Sequence, residues 1–245
     1  AGARVGIAMA ADADYPLSDS AEDIAAAKKE IFSLKPGADR WMSNIVHWND
    51  PIYFGDYPAE SYERFGNDMP VMTAEDKKLI AQPLDFHGQN CYSGSPVQSD
   101  GAGGYKMADF PLGSAKNSLG WGVTPRAIWF VTKCLYERYR VPLYITENGI
   151  CCNDWIHEDG AVHDADRVDF MKKYLKQLKR AMDEGADVRG YFAWSLMDNF
   201  EWADGYAERF GLVYVDYASQ KRTIKDSGLY YKALIAHNKT RRQGR

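Results

Sequence analysis

The sequence predicts an α/β fold built on a parallel sheet. Strand-like and helix-like segments alternate four times along its 245 residues, and this alternation is typical of parallel strands joined by helical crossovers. A composition of 45% hydrophobic and 26% charged residues is that of a globular protein. No linker-like stretch divides the chain and no internal repeat is strong, so we predict a single domain over residues 1–245.

The first half of the chain is predicted to contain two of the four strands. Residues 4–9 form the first strand, because they are a short, mainly apolar run. Ser18 or Ser20 can cap the helix that follows, and Pro36 with Gly37 ends it. The predicted elements, in order, are strand 4–9, helix 21–34, helix 40–48, an aromatic loop region over 50–70, a short helix beginning at Thr73, and strand 84–92.

The second half is predicted to contain the other two strands of the alternation. Residues 93–119 are polar and are expected to form a long loop. Ile128, Val131 and Leu135 share one face of the helix that follows, and Gly185 ends the next helix. The predicted elements, in order, are helix 124–139, strand 143–147, loop 151–163, helix 164–184, strand 188–196, a short strand 212–216, and helix 224–238.

Charge and hydropathy exclude two classes of partner. The net charge is −4, and the only dense basic run is the tail at residues 239–245, so we expect no nucleic acid partner. No apolar run reaches the roughly 18 residues of a transmembrane helix, so we expect no membrane association. Residues 1–8 are too short and too strand-like for a signal peptide.

Cysteine and histidine usage predicts a cytoplasmic protein without bound groups. The four cysteines show neither a C-x-x-C pair nor a disulfide spacing, which predicts reduced thiols. The five histidines are scattered and form no metal-binding motif, and the glycine-rich residues 101–104 follow no strand. We therefore predict no metal ion and no organic cofactor.

The third predicted strand ends in a carboxylate. Leu143, Tyr144 and Ile145 suit a buried strand, and Glu147 stands at its tip. Asn148 and Gly149 tolerate positive φ, so we expect the chain to turn away at once. An ionised side chain is costly near a core, and chemistry collects at the carboxyl ends of parallel strands. Glu147 is thus a candidate catalytic group, with a solvated loop residue as the alternative.

Polar and aromatic side chains follow the ends of three predicted strands. The second strand offers an amide and a phenol, the third a carboxylate, and the fourth two indoles and a second carboxylate. Indoles stack on the apolar face of a pyranose, whereas carboxylates and amides bind its hydroxyl groups. The phenol can donate to the carboxylate of the third strand and favour its ionised form. These candidate residues are Asn90, Tyr92, Glu147, Trp194, Glu201 and Trp202, and together they predict a sugar site.

Several motifs resemble those of the family 1 glycoside hydrolases, the β-glucosidase family. Residues 144–149 read Tyr-Ile-Thr-Glu-Asn-Gly, and residues 85–93 read Asp-Phe-x-Gly-x-Asn-x-Tyr-Ser. Residues 194–202 read Trp-Ser-Leu-Met-Asp-Asn-Phe-Glu-Trp, and segments 120–125, 205–206, 209–217 and 222–227 match as well. The resemblance extends from end to end of the chain and implies a retaining β-glycosidase with a (β/α)8 barrel.

The resemblance also implies a role for each candidate side chain. Asn90 and Tyr92 could instead be ordinary strand-end hydrogen bonders, and Trp121 could instead be a core residue. The implied roles are Glu147 as nucleophile, Tyr92 as the group that orients it, Asn90 as a polar contact beside it, Trp194 as the platform under the sugar, Glu201 and Trp202 as ligands of its outer hydroxyls, and Trp121 at the aglycone entrance.

The chain departs from the family pattern at the second catalytic carboxyl group. Retaining hydrolysis needs two carboxyl groups about 5–5.5 Å apart, and the family's acid/base belongs to an Asn-Glu-Pro motif on its fourth barrel strand. This sequence contains no Asn-Glu-Pro, and His47 with Trp48 is interpreted as a structural pair. The resemblance therefore implies half of a (β/α)8 TIM barrel, about four βα units that match barrel strands five to eight.

A half-barrel leaves two strand edges unpaired and exposes its inner face. Three arrangements would relieve this: a complementary N-terminal half-barrel chain, a homo-oligomer, or a rearranged sheet that closes on itself. The function has alternatives too. The chain is expected to hydrolyse small β-glycosides or oligosaccharides, or else to be a catalytically weak sugar-binding half-barrel, or a fragment that needs its other half. Glucose, galactose and fucose configurations all remain open.

Overall fold

The computed structural model describes residues 2–11, 13–34 and 44–243. Its strands are β1 (Gly6–Ala10), β2 (Tyr15–Pro16), β3 (Phe86–Asn90), β4 (Pro96–Ser99), β5 (Tyr105–Met107), β6 (Leu143–Asn148), β7 (Val188–Ala193), β8 (Val213–Val215) and β9 (Arg222–Ile224). Its helices are α1 (Ala21–Ile31), α2 (Ile45–Phe54), α3 (Ala59–Phe65), α4 (Ala74–Ile80), α5 (Arg126–Tyr139), α6 (Ala165–Asp183) and α7 (Asp226–Gln243).

The main sheet has four parallel strands in the order β1-β3-β6-β7. Gly6 pairs with Phe86, His87 with Leu143, and Leu143 with Val188. The spatial order follows the chain order, as in the wall of a barrel, whereas a doubly wound sheet reverses direction. The predicted α/β fold with a parallel sheet is therefore confirmed.

Helices cover one face of this sheet. His87 points to that side, where its Nδ1 lies 2.8 Å from the hydroxyl of Tyr53 on α2. Trp129 on α5 and Tyr174 on α6 are both buried, and these two helices pack against each other. This layer contains the main hydrophobic core of the described residues.

The opposite face of the sheet carries aromatic rings that are partly or largely exposed within the described ranges. Phe86 and Tyr144 meet edge to face at 5.1 Å. Gly190 makes room for the Tyr144 ring, since a Cβ there would lie 2.4 Å from it. Phe192, farther along β7, is 57% exposed. The sheet thus has a covered face and an open apolar face.

A second sheet lies where the sequence predicted only a loop. Strands β4 and β5 fall within residues 93–119, and the sheet order is β2-β4-β5. Val97 of β4 is fully buried, and β4 packs against α1. These strands have two to four residues, too few for alternation to reveal, and the pairing between β2 and β4 is distant in sequence.

The remaining differences are one additional helix and the ends of several elements. Helix α3 lies within the predicted loop region 50–70, and β9 occupies the predicted start of the last helix. Ser20 accepts a hydrogen bond from the amide of Asp23 and is the cap of α1. The predicted stop at Pro36 and Gly37, and the start of the helix predicted over 40–48, lie outside the described residues.

No helix within the described ranges is long and apolar enough to cross a membrane.

Candidate active site

The candidate residues gather at the carboxyl ends of three adjacent strands. Asn90 is the last residue of β3, Glu147 is the last residue but one of β6, and Trp194 directly follows β7. Asn90 and Glu147 are register partners. The main sheet therefore brings these three positions to one rim, as the sequence predicted from strand ends.

Tyr92 is hydrogen-bonded to Glu147. Its hydroxyl donates to Oε2 of Glu147 over 2.6 Å. Burial raises the pKa of Tyr92, and the hydrogen bond to the Glu147 carboxylate raises this pKa further. The phenol therefore keeps its proton and can hold one carboxylate oxygen in a fixed direction by hydrogen bonding.

Tyr174 on α6 holds the backbone on which Tyr92 stands. Its hydroxyl donates to the carbonyl of Tyr92 over 2.8 Å and accepts from the amide of Thr124 over 2.9 Å. Tyr174 is fully buried. One side chain thus ties the strand end that carries Tyr92 to the loop that precedes α5. Nothing in the spacing of the sequence singled it out from other core aromatics.

Asn148 fixes the tip of β6 to both neighbouring strands. Its Nδ2 donates to the carbonyl of Cys91 over 2.7 Å, and its Oδ1 accepts from the hydroxyl of Tyr191 over 2.8 Å. Its backbone carbonyl accepts from the amide of Trp194, while the amide of Cys91 donates to the carbonyl of Glu147. The side chain is fully buried. Sequence reasoning treated Asn148 as a turn residue and missed this anchoring role.

Gly149 is required for a close approach and not for a positive φ. A Cβ at this position would lie 1.8 Å from the carbonyl oxygen of Trp194. Neither Asn148 nor Gly149 is among the residues with positive φ in the part of the chain that the structure describes, so the strand ends here without the left-handed conformation that this pair tolerates. The missing side chain instead lets the ends of β6 and β7 come together.

Asn90 makes a hydrogen bond of its own at the rim. Its Oδ1 accepts from the hydroxyl of Thr146 over 2.6 Å. The contact orients the amide beside Glu147, because Thr146 directly precedes that residue. Asn90 fits this geometry both as a hydrogen bonder at the end of a strand and as a residue of the candidate site.

The loop after β7 brings a second carboxylate to the site. The indole Nε1 of Trp194 donates to Oε1 of Glu201 over 3.1 Å. Burial raises the pKa of Glu201, and the negative charge of Glu147 adds to this rise, while the bond from Trp194 opposes it. Glu201 thus lies within electrostatic reach of Glu147. Trp202 lies at the edge of the group, with 86% of its surface exposed.

Trp121 stands beside Tyr92 at the surface. The two rings meet edge to face at 5.8 Å, and Phe210 lies 6.2 Å from Trp121. Trp121 is 42% exposed, so it is not a core residue. Phe210 is buried beneath both rings, and the sequence analysis did not select it.

No metal-binding cluster is found near these residues. Across the parts of the chain that the structure describes, no group of three or more His, Cys, Asp or Glu side chains is arranged to hold a metal ion.

Comparison with known proteins identifies the family. The model of glycosyl hydrolase family 1 matches residues 1–240. The chain belongs to glycosyl hydrolase family 1.

Its relatives include β-glucosidases of two bacteria. The chain is 43% identical over 237 residues to a β-glucosidase of an Agrobacterium species, which covers 95% of this chain and 49% of that protein. It is 39% identical over 236 residues to β-glucosidase A of Thermotoga maritima, with 96% and 51% covered. The chain therefore spans about half the length of the curated relatives it matches.

Solved structures agree with the sequence relatives. The family 1 β-glucosidase of Thermotoga maritima superposes with a TM-score of 0.78 at 37% identity, over 96% of this chain and 51% of that one. Similar matches include that enzyme in complex with glucoimidazole and with deoxynojirimycin. The α/β fold is thus that of a family of β-glucosidases, matched over half its length.

Proposed function

We propose that this chain is the nucleophile-bearing half of a retaining β-glycosidase. The observation that carries the proposal is the 2.6 Å hydrogen bond from Tyr92 to Glu147 at the carboxyl end of a parallel sheet. A carboxylate held by one oxygen leaves its other oxygen free to attack an anomeric carbon. Glu147 then forms the covalent glycosyl-enzyme intermediate, which water hydrolyses.

The sugar is held by the loop after β7. Trp194 provides the platform under the ring, and Glu201 with Trp202 binds its outer hydroxyls. The bond between Trp194 and Glu201 supports this assignment, because it fixes the carboxylate at the edge of the indole. Asn90 contacts the sugar next to Glu147, and Trp121 flanks the aglycone. The substrates are small glycosides with a terminal non-reducing β-glucosyl residue, in keeping with the names of the relatives.

The acid/base carboxyl group comes from another part of the complete enzyme. The sequence holds no Asn-Glu-Pro motif, and the relatives are about twice as long as this chain. We propose that the four βα units correspond to barrel strands five to eight, and that a complementary N-terminal half closes the barrel. In the part of the chain that the structure describes, β1 and β7 are the outer strands of the main sheet and Phe192 is exposed, and both features support this arrangement.

A second candidate function is sugar binding without turnover. The pair formed by Trp194 and Glu201 needs no acid/base group to bind a glycone. A chain that acts without its other half would keep this binding and lose hydrolysis of natural disaccharides.

An aryl-glucoside assay separates the two functions. A good leaving group needs little acid assistance, so the chain should cleave 4-nitrophenyl β-glucoside while leaving cellobiose intact. Addition of the N-terminal half of a relative should restore cellobiose cleavage. Glu147→Gln should abolish both activities, whereas the exposed loop variant Glu158→Gln should retain them. Glucose binding without any cleavage, with and without the added half, would favour the binding function.

A further inference from the structure

Six charged side chains lie in a buried cluster beneath the candidate site. Three are acidic and three are basic, so their formal charges cancel. The exposed fraction of five of the side chains is 3% or less, and that of Arg209 is 16%. We call this group the ion cluster; its members are Asp154, Asp164, Arg167, Asp198, Arg209 and Lys225.

Lys225 joins the two loops that carry the site. Its ammonium group lies 2.5 Å from Oδ2 of Asp154 and 2.8 Å from Oδ1 of Asp198. Asp154 belongs to the loop that follows Glu147, and Asp198 belongs to the loop between Trp194 and Glu201. A single fully buried amine therefore binds both loops at once.

The Asp198 end of this bridge is tightly held. Oδ2 of Asp198 accepts from Arg209 over 2.6 Å and from the amide of Val215 over 3.3 Å. Oδ1 accepts from the amide of Gly211 over 3.0 Å. A Cβ on Gly211 would lie 2.2 Å from the amide nitrogen of Asp198, so this approach requires glycine. These hydrogen bonds hold the middle of the loop that bears Glu201 in place.

The Asp154 end is held equally well. Arg167 donates to Oδ2 of Asp154 over 2.7 Å and to the carbonyls of Ile150 and Arg209 over 3.2 and 2.8 Å. Arg167 also pairs with Asp164, which accepts from the amide of Ser227 beside Lys225. The loop after β6 is therefore clamped to the same cluster.

Stability alone is a weak explanation for such a cluster. Desolvation of buried charges often cancels the energy of their attraction, and apolar replacements are frequently as stable. What apolar side chains would lack is direction, because only paired, charge-assisted hydrogen bonds fix both loops at defined distances.

We propose that Lys225 is a positioning residue that sets the distance between the nucleophile Glu147 and the sugar-binding pair Trp194 and Glu201. The proposal deepens the function given above and rests on it. Lys225 acts through its hydrogen bonds to Asp154 and Asp198.

A charge-balanced double variant tests the proposal. Asp154→Asn with Lys225→Met removes one charge of each sign from the ion cluster, retains the Asp198–Arg209 pair, and breaks the bridge between the loops, while the asparagine amide oxygen can still accept a hydrogen bond from Arg167. The control is Lys179→Met with Asp183→Asn, which removes an exposed pair of the same chemistry on α6. Circular dichroism first compares the melting temperatures of both variants with that of the unaltered chain, and we expect them to agree within a few degrees.

Two readouts then distinguish positioning from a structural role. Hydrogen exchange should become about tenfold faster in residues 150–164 and 194–205 of the double variant, with α5 unchanged. Calorimetry should show glucoimidazole binding weakened by about 10- to 100-fold. The control should match the unaltered chain in both measurements.

Each outcome has one meaning. Unaltered exchange and unaltered affinity in the double variant would overturn the proposal. Uniformly faster exchange with a lowered melting temperature would also overturn it, because the cluster would then only stabilise the fold. If the unaltered chain fails to bind glucoimidazole, the proposed function fails, whereas the exchange measurement still decides whether Lys225 positions the two loops.

Discussion

Replacing Tyr174 by phenylalanine should remove hydrogen bonds that hold the candidate site without leaving a cavity in the core. The ring stacks on Phe170 at a centroid distance of 3.9 Å, and phenylalanine retains that contact. Only the hydroxyl is lost, together with its hydrogen bonds to the Tyr92 carbonyl and the Thr124 amide. Both Thr124 and Tyr174 are buried, so water does not replace the missing oxygen.

The expected cost follows from the two broken bonds. A buried amide left without an acceptor costs about 1–3 kcal/mol, and the lost bond to a carbonyl costs about 1 kcal/mol. The free energy of unfolding should therefore fall by about 2–4 kcal/mol. For a chain of this size the melting temperature should fall by about 4–16 °C, at about 2–4 °C per kcal/mol.

Differential scanning calorimetry and urea unfolding measure this change. Tyr136→Phe on α5 is the matched control, since the structure gives its hydroxyl no hydrogen bond within residues 2–11, 13–34 and 44–243. A Tyr174→Phe variant as stable as the control would show that the hydroxyl does not hold Tyr92 and Thr124.

Three further predictions concern the loops around the site. The pKa of Glu201 is raised by burial and by the charge of Glu147, so its carboxylate becomes protonated at a higher pH than that of an ordinary glutamate as the pH falls. Calorimetric titration should show that glucoimidazole affinity declines from that higher pH. A decline only at the pH of an ordinary glutamate would contradict this prediction. Gly149→Ala should lower stability by about 1–3 kcal/mol, because the new Cβ overlaps the Trp194 carbonyl; a calorimetric melting point equal to that of the unaltered chain would contradict it. Hydrogen bonds to Asp226 and Asp159 raise the pKa of His163 to about 8. The ion pairs of His163 with these two carboxylates are therefore fully formed at a pH below the ordinary pKa of histidine and are lost as the pH rises through about 8. Proton NMR should give that pKa, and Asp226→Asn should lower it.

The alternation of segments was enough to predict the parallel sheet, because its strands are long and their crossovers are regular helices. The second sheet could not be predicted in the same way. Strand β4 has four residues, and it forms through pairing with β2 and packing against α1. Such contacts join segments that are distant along the chain, and no local pattern reports them.

The candidate site also contains residues that could be predicted from the sequence and residues that could not. Glu147 and Tyr92 could be found from strand ends and family motifs, since each is a polar side chain where a buried strand stops. Asn148 resembled a turn residue because its anchoring depends on Cys91 and Tyr191 of neighbouring strands.

Residues that lie behind the site had no sequence signal that pointed to their role. Lys225 lay in a motif shared with the family, yet its link between Asp154 and Asp198 depends on three loops meeting in the core. A lysine near a helix start is ordinarily read as a surface residue, and only its complete burial reveals another role.

Covalent labelling tests the assignment of Glu147 as the nucleophile. The fluorine of a 2-fluoro glucoside slows both the formation and the hydrolysis of the glycosyl-enzyme intermediate, because both steps have oxocarbenium-like transition states. An activated leaving group restores the rate of formation only, so the intermediate accumulates. We expect one added sugar per chain, located by peptide mass spectrometry on Glu147 and absent from Glu147→Gln. A label on another residue, or none in a preparation that cleaves the aryl glucoside, would contradict the assignment of Glu147 as the nucleophile.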